Sequence, residues 1–252
     1  MTLTRDCNGD GRDGELVGRS SGLWTRGVPK AALSWSEFRL IAFDMDSTLI
    51  ASETVDELAM LAGCKAQIEA MTHAAMSGQN VDFAENLRAR MALLKGVPES
   101  LLAKVRDEHM PLTAGCEALL SACKRHGLRC ILISGGFTYL ADSLTARLGM
   151  DEIHANHLEI EAGQLTGRVL AQPGHAFVDA EGKRQRLLDA CARLGISAEQ
   201  AIAVGDGAND VPMLRAAGLA VAFHSKPLVR EHAEVGIAEG GLDRLLELFG
   251  EA

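Results

Sequence analysis

Phe38-Arg39-Leu40-Ile41-Ala42-Phe43-Asp44-Met45-Asp46-Ser47-Thr48 is a short apolar run that stops at a carboxylate. Its length and lack of alternation predict a strand buried on both faces, and the polar residues after it predict the turn where it ends. Three more runs share the pattern: Leu128 to Ile133 ending at Ser134, Ala201 to Val204 ending at Gly205-Asp206, and Leu219 to Phe223. Helical patterns separate them. One is Ala114 to His126, with Thr113 as a possible cap and Gly127 as the stop; another is Gly182 to Leu194, closed by Gly195. Buried runs alternating with helices predict an α/β fold built on a parallel sheet.

Outward from the first strand, the segment up to Leu128 is far longer than the dozen or so residues of a simple crossover. Residues 53–109 carry helix formers and almost no strand signal, with breaks at Gly63, Gly78 and Gly96-Val97-Pro98. They are expected to form a small helical insertion, with residues 37–52 and 110–252 making the α/β core. Asn156 to Ile160 and Gln164 to Val169, joined around Gly163, predict a hairpin of architectural role. Residues 1–36, rich in Gly, Asp, Arg and Ser, are expected to be a flexible leader. Within it, Gly9 to Gly14 has the letters of a dinucleotide fingerprint but no strand before it. A calcium-loop start at Asp6 fails at Val17, where a Glu is needed.

Composition narrows the partners. Thirty-four acidic against 25 basic residues leave a charge of -9, which repels nucleic-acid backbones and anionic lipid surfaces. No stretch approaches the roughly 20 apolar residues of a membrane span, and the polar start lacks a secretory apolar region. A cytoplasmic protein is expected, as monomer or homodimer, with a small molecule rather than nucleic acid or membrane as partner. Its six cysteines form no CxxC pair, so they are read as reduced thiols.

The chemistry sits where the strands end. Asp44, Ser134 and Asp206 each follow an apolar run, and the carboxyl ends of parallel strands form one rim where ligands bind. Asp44 and Asp46 are two carboxylates on one turn. Gly205-Asp206-Gly207-Ala208-Asn209-Asp210 adds two more and an amide, an oxygen-rich set suited to Mg²⁺. Ser134-Gly135-Gly136 offers a hydroxyl and backbone N–H groups as an anion cradle.

Taken in order, Asp44-x-Asp46-x-Thr48, Ser134, Lys183 and Gly205-Asp206-x-x-Asn209-Asp210 resemble the motif set of the haloacid dehalogenase superfamily. More narrowly, Asp44 to Ile50 with Glu53, Met76-Ser77-Gly78, Phe83 to Arg90, Ile133 to Phe137, and Gly205 to Leu214 with the AFHSKP stretch resemble the phosphoserine phosphatase family over residues 38–247. The resemblance implies a Rossmann-like core with a helical cap after the first motif, and a Mg²⁺-dependent phosphatase releasing L-serine from O-phosphoserine. It implies Asp44 as nucleophile, Asp46 as acid/base and Lys183 as the cation beside them. It also implies Asp44, the Asp46 carbonyl and Asp206 as metal ligands, with Asp210 in support. Ser134, Gly135, Gly136, Lys183 and Asn209 would hold the phosphoryl group. Glu53 would take the substrate ammonium and Arg90 its carboxylate, with Arg88 as the alternative to Arg90; Met76 and Phe83 would supply apolar walls. Two readings stay open beside this one. The same chemistry would serve another small phosphate ester or transfer to homoserine, and an aspartate-phosphorylated signalling module would need no turnover.

Overall fold

The computed structural model describes residues 16–27, 32–76 and 83–250, without the side chains of 72–76. The chain opens with β1 (Leu16–Ser20) and β2 (Leu23–Arg26), then a 3-10 turn at Trp35–Glu37 and β3 (Leu40–Phe43). Four helices follow: α1 (Thr54–Leu61), α2 (Lys65–Met76), α3 (Phe83–Ala92) and α4 (Glu99–Glu108). Next come α5 (Cys116–Arg125), β4 (Arg129–Phe137), α6 (Thr138–Leu148), β5 (Glu152–Glu161) and β6 (Gln164–Leu170). The last part holds α7 (Ala180–Leu194), β7 (Ala201–Gly205), α8 (Val211–Ala216), β8 (Leu219–Phe223), α9 (Pro227–Arg230), β9 (Val235–Ile237) and a 3-10 segment at Leu242–Phe249.

All nine described strands join one sheet in the order β1-β2-β9-β8-β7-β3-β4-β5-β6. β3 is central, parallel to β4 on one side and β7 on the other, with Ile41 opposite both Cys130 and Ile202. Because successive strand residues face opposite sides, Ile41 and Phe43 pack into one apolar cluster with α5 and α6, while Leu40 and Ala42 pack into another with α7 and α8. Both faces are covered, which explains the unbroken apolar runs.

Among the described residues of the stretch expected to be a helical insertion stand four helices, α1 to α4, and its two ends are fastened together. Ala51 N–H donates to the Pro111 carbonyl at 2.9 Å, and Thr113 N–H donates to the Leu49 carbonyl at 2.9 Å. Its far side is hydrogen-bonded to the β5–β6 hairpin, through Gly96 to Leu165 at 2.8 Å and Glu99 to Gly163 at 2.9 Å.

The structure corrects several sequence expectations. Residues 1–15, with both decoy motifs, lie outside the described residues, but the rest of the expected leader is largely folded. β2 runs antiparallel to β9, Leu23 and Thr25 are buried, and Trp35 stacks between His126 and Phe249. Polar letters hid this hairpin because one strand lies at the sheet edge, where side chains face water. Thr113 is not a cap. Gly115 takes that position at φ +75, where a Cβ would stand 2.1 Å from the Asp243 carboxylate. β4 also runs past Ser134 to Phe137, and β5 starts at Glu152, its first half parallel to β4, so the hairpin is part of the main sheet.

Candidate active site

β3, β4 and β7 are parallel neighbours, so Asp44, Ser134 and Asp206 arrive together at the carboxyl ends of the strands. The chain leaves β3 for β4 on one side and later reaches β7 on the other, which opens a crevice there.

Lys183 comes from the first turn of α7, whose start is fixed by Asp179 accepting from Gly182 N–H at 2.7 Å. Its Nζ lies 2.6 Å from Asp44 Oδ1 and 2.6 Å from Asp210 Oδ1, and the side chain has no exposed surface. Burial pulls Lys183 down, but the Asp210 and Asp44 carboxylates outweigh it and keep it protonated. Asp210 is fully buried, and its second oxygen accepts from Asp206 N–H at 3.2 Å and Gly207 N–H at 3.0 Å.

One oxygen each from Asp44, Asp206 and Asp210 lies within 4.8 Å of the others. Burial, then the Asp210 and Glu53 charges, pushes Asp206 up to about 7. Burial and the Asp210 charge push Asp44 upward too, against the pull of Lys183. Hard oxygen donors carrying more negative charge than one lysine cancels fit a divalent cation. With Asp210 engaged by Lys183 and the backbone, Asp44 and Asp206 are the carboxylates left to bind one.

Asp46 stands on the Met45–Leu49 turn, where Ser47 takes φ +54. Its Oδ1 accepts the Thr54 N–H at 2.7 Å, satisfying an otherwise orphaned donor at the start of α1. Burial, then the Glu53 charge, pushes Asp46 up to about 7, which suits a group that must give a proton and take one back.

Ser134 is buried, and its Oγ accepts the Gly136 N–H at 2.8 Å. The Gly136 donor expected for the anion cradle is therefore turned back onto Ser134. A Cβ on Gly135 would stand 2.8 Å from Phe83 Cζ, and one on Gly136 would stand 3.0 Å from Met45 Cε. Glycine at both positions lets α3 and the Asp46 turn close over this strand.

Across the cavity stand α1 and α3. Glu53, just before α1, accepts from Ser47 Oγ at 2.7 Å. Arg90, in the last turn of α3, has its Nε buried with no hydrogen-bond partner among the described residues, and burial lowers its pKa. Glu53, Arg90, Phe83 and Asn209 line one cavity of about 480 Å³ together with Asp44, Asp46, Asp206 and Ser134 to Gly136. Arg88 is outside it, exposed, with its guanidinium 4.7 Å from the Phe177 ring. Lys183 and Asp210 stand behind the wall. Met76 ends α2, and its side chain lies outside the described residues.

Residues 41–215 match the haloacid dehalogenase-like hydrolase family. The phosphoserine phosphatase of Albidiferax ferrireducens is 54% identical over 217 residues, covering 86% of this chain and 92% of that protein. That of Polaromonas is 54% identical over 216 residues, with the same two shares. A solved phospho-aspartyl intermediate analogue of phosphoserine phosphatase superposes with a TM-score of 0.77 at 35% identity, covering 83% of this chain and 98% of that one. The chain belongs to the haloacid dehalogenase-like hydrolases, in the phosphoserine phosphatase family.

Four residues of this haloacid dehalogenase-like site were given no role by the sequence reading, although Thr48 and Lys226 stood within its motifs. Thr48 Oγ1 donates to Asp206 Oδ1 at 3.4 Å, tying the first motif loop to the last. Lys226 lines the cavity from the loop past β8, just before α9, where the rule that found Asp206 after β7 points to His224 instead. Asn86 lines it too, on the stripe 83, 86, 87, 90 that α3 turns inward, so helical spacing carried its signal. Asn156 is fully buried on β5 and binds the Gly135 and Val178 carbonyls, each at 3.0 Å, and the Val178 N–H at 2.8 Å. Nothing in the local sequence marks it.

Proposed function

We propose that this protein hydrolyses O-phospho-L-serine to L-serine and phosphate through a phosphoryl group held on Asp44, the closing step of serine synthesis. The observation that carries the reading is the contact of Lys183 with Asp44 at 2.6 Å on the rim of a cavity whose opposite wall holds Glu53 and Arg90. The phosphate end has a nucleophile beside a fixed cation, and the amino-acid end has one acidic and one basic group.

In the first step an Asp44 oxygen attacks phosphorus, an O–P bond forms, and the ester bond to the seryl oxygen breaks. Asp46 gives its proton to that oxygen. Its value of about 7 leaves a large protonated fraction at neutral pH. In the second step Asp46, now a carboxylate, takes a proton from water as the water oxygen attacks phosphorus, and the bond to Asp44 breaks. Splitting one hard displacement into two lowers each barrier. Lys183 neutralises Asp44 and the approaching phosphoryl oxygens, which would otherwise repel each other by several kcal/mol. Ser134, Gly135 and Asn209 hold those oxygens.

Asp44, the Asp46 carbonyl and Asp206 would hold Mg²⁺, with Asp210 fixing the Asp206 loop. Bound there, Mg²⁺ supplies charge cancellation for the phosphoryl group. Arg90, with an unpartnered buried Nε, would bind the substrate carboxylate as a planar donor pair, and Glu53 would bind the ammonium. The helices between residues 53 and 109 act as a cap that selects the head group, while the core sees phosphate. A cytoplasmic location goes with this reading, and there the five described cysteines, all free thiols, stay reduced.

The test is phosphate release from O-phospho-L-serine, with Mg²⁺ and with excess chelator. Turnover lost in chelator and restored by Mg²⁺ is expected, and Asp44→Asn should abolish it while leaving the far-ultraviolet circular dichroism intact. Activity that survives chelator, or an active Asp44→Asn, overturns the mechanism.

A further inference from the structure

We propose that Asn86 is a specificity residue, giving the substrate carboxylate a second hydrogen-bond donor beside Arg90. This deepens the phosphoserine reading above and rests on it. Asn86 and Arg90 are four residues apart on α3, so they are neighbours on one face of the helix. Both line the cavity together with the apolar Phe83 and Leu87. The Asn86 carboxamide has no hydrogen-bond partner among the described residues, and it is half-buried. Arg90 stands beside it with a buried Nε that has no hydrogen-bond partner among the described residues. An idle amide and an idle guanidinium edge on one face, with apolar surface around them, match a planar anion with two oxygens.

The chemistry fixes which atom acts. Besides Arg90, the charged residues lining the cavity are Asp44, Asp46, Glu53, Asp206 and Lys226, and a substrate ammonium belongs near Glu53, whose carboxylate stands beside the start of α1. That leaves the α3 stripe for the carboxylate. A carboxylate offers about four acceptor sites, more than one arginine fills, so the Asn86 Nδ2–H has an acceptor within its reach. Phosphoryl transfer itself needs nothing from Asn86, which stands on the cap side away from Asp44.

The test compares Asn86→Ala with wild type on three esters: phosphoserine, phosphoethanolamine, which lacks the carboxylate, and 3-phospholactate, which lacks the ammonium. Loss of a hydrogen bond to a charged group is expected to lower kcat/KM for phosphoserine and for phospholactate by about ten-fold relative to phosphoethanolamine, through KM rather than kcat. Calorimetric binding of phosphoserine to Asp44→Asn, with and without Asn86→Ala, reads the same loss without turnover, and thermal melting checks that the fold holds. Equal losses on all three esters, or none, overturn the assignment. If the loss falls on phosphoserine and phosphoethanolamine but spares phospholactate, Asn86 serves the ammonium and the proposal is wrong. A wild type that does not prefer phosphoserine over phosphoethanolamine sinks the phosphoserine reading and Asn86 together. A wild-type preference kept intact by Asn86→Ala sinks Asn86 alone.

Discussion

Lys183 has no exposed surface, and two carboxylates, Asp44 and Asp210, flank its ammonium at 2.6 Å. Removing a partner from such a buried group is more disruptive than removing a surface ion pair, because the charges left behind have no water to turn to. Lys183→Met is therefore expected to lower unfolding stability in urea by about 3 kcal/mol and to cut kcat at least about a hundred-fold. Unchanged stability would mean that Asp44 and Asp210 do not depend on it. The raised carboxyls make a second prediction. Burial, then Glu53 at Asp46 and Asp210 at Asp206, moves both from 3.8 to about 7 in the folded chain. Between those values the folded state binds more protons than the unfolded one, so stability falls as pH rises from about 4 to about 7. In chelator the melting temperature should fall across that range. Mg²⁺ competes with those protons, so its stabilisation should grow with pH. Asp46→Asn with Asp206→Asn should flatten the chelator profile; a profile unchanged by the pair would assign the slope elsewhere.

At the scale of the elements, Asn156 shows how a strand positions a loop it does not carry. Its amide binds Gly135 on β4 and Val178 in the approach to α7, the two segments that bring Ser134 and Lys183 to the rim. Asn156→Ala would leave buried backbone groups unpaired. It is expected to cost about 1–3 kcal/mol of stability and to raise KM more than the comparably destabilising core change Leu187→Ala. Equal KM values would make Asn156 purely structural. This residue also marks where the sequence stops being legible. Asp44 and Asp206 could be read because each ends an apolar run, and the run is visible in one dimension. Asn156 works through partners at 135 and 178, and that pairing exists only once β5 lies beside β4. Arg90 and Arg88 were not separable by letters, since the turn of α3 decides which faces the cavity. The β1–β2 hairpin was illegible for another reason, because its polar edge composition resembles loop.

At the scale of the whole molecule, β3 at the middle of the sheet explains why motifs distant in sequence meet. The chain crosses to β4 on one side and later to β7 on the other, and the crevice opens between them. That arrangement was legible, since four apolar runs separated by helices leave few other sheets to build. The edge was not. Trp24 on β2 lies over Gly236 on β9, where a Cβ would stand 1.9 Å from the indole, and the chain then returns through Trp35, stacked on Phe249. A protein shortened to begin at Phe38 would lose both contacts and bare the β9 strand. Such a strand is a template for pairing with another copy. The shortened protein should scatter light on refolding at concentrations where the full chain stays clear, and a clear solution would show that β9 needs no cover. The segment by which this family is recognised, residues 41–215, is thus smaller than the unit that folds. Expression boundaries drawn from motif positions would amputate the whole flank of the hydrogen-bonded ribbon beyond β7, leaving the opposite tip at β6 intact.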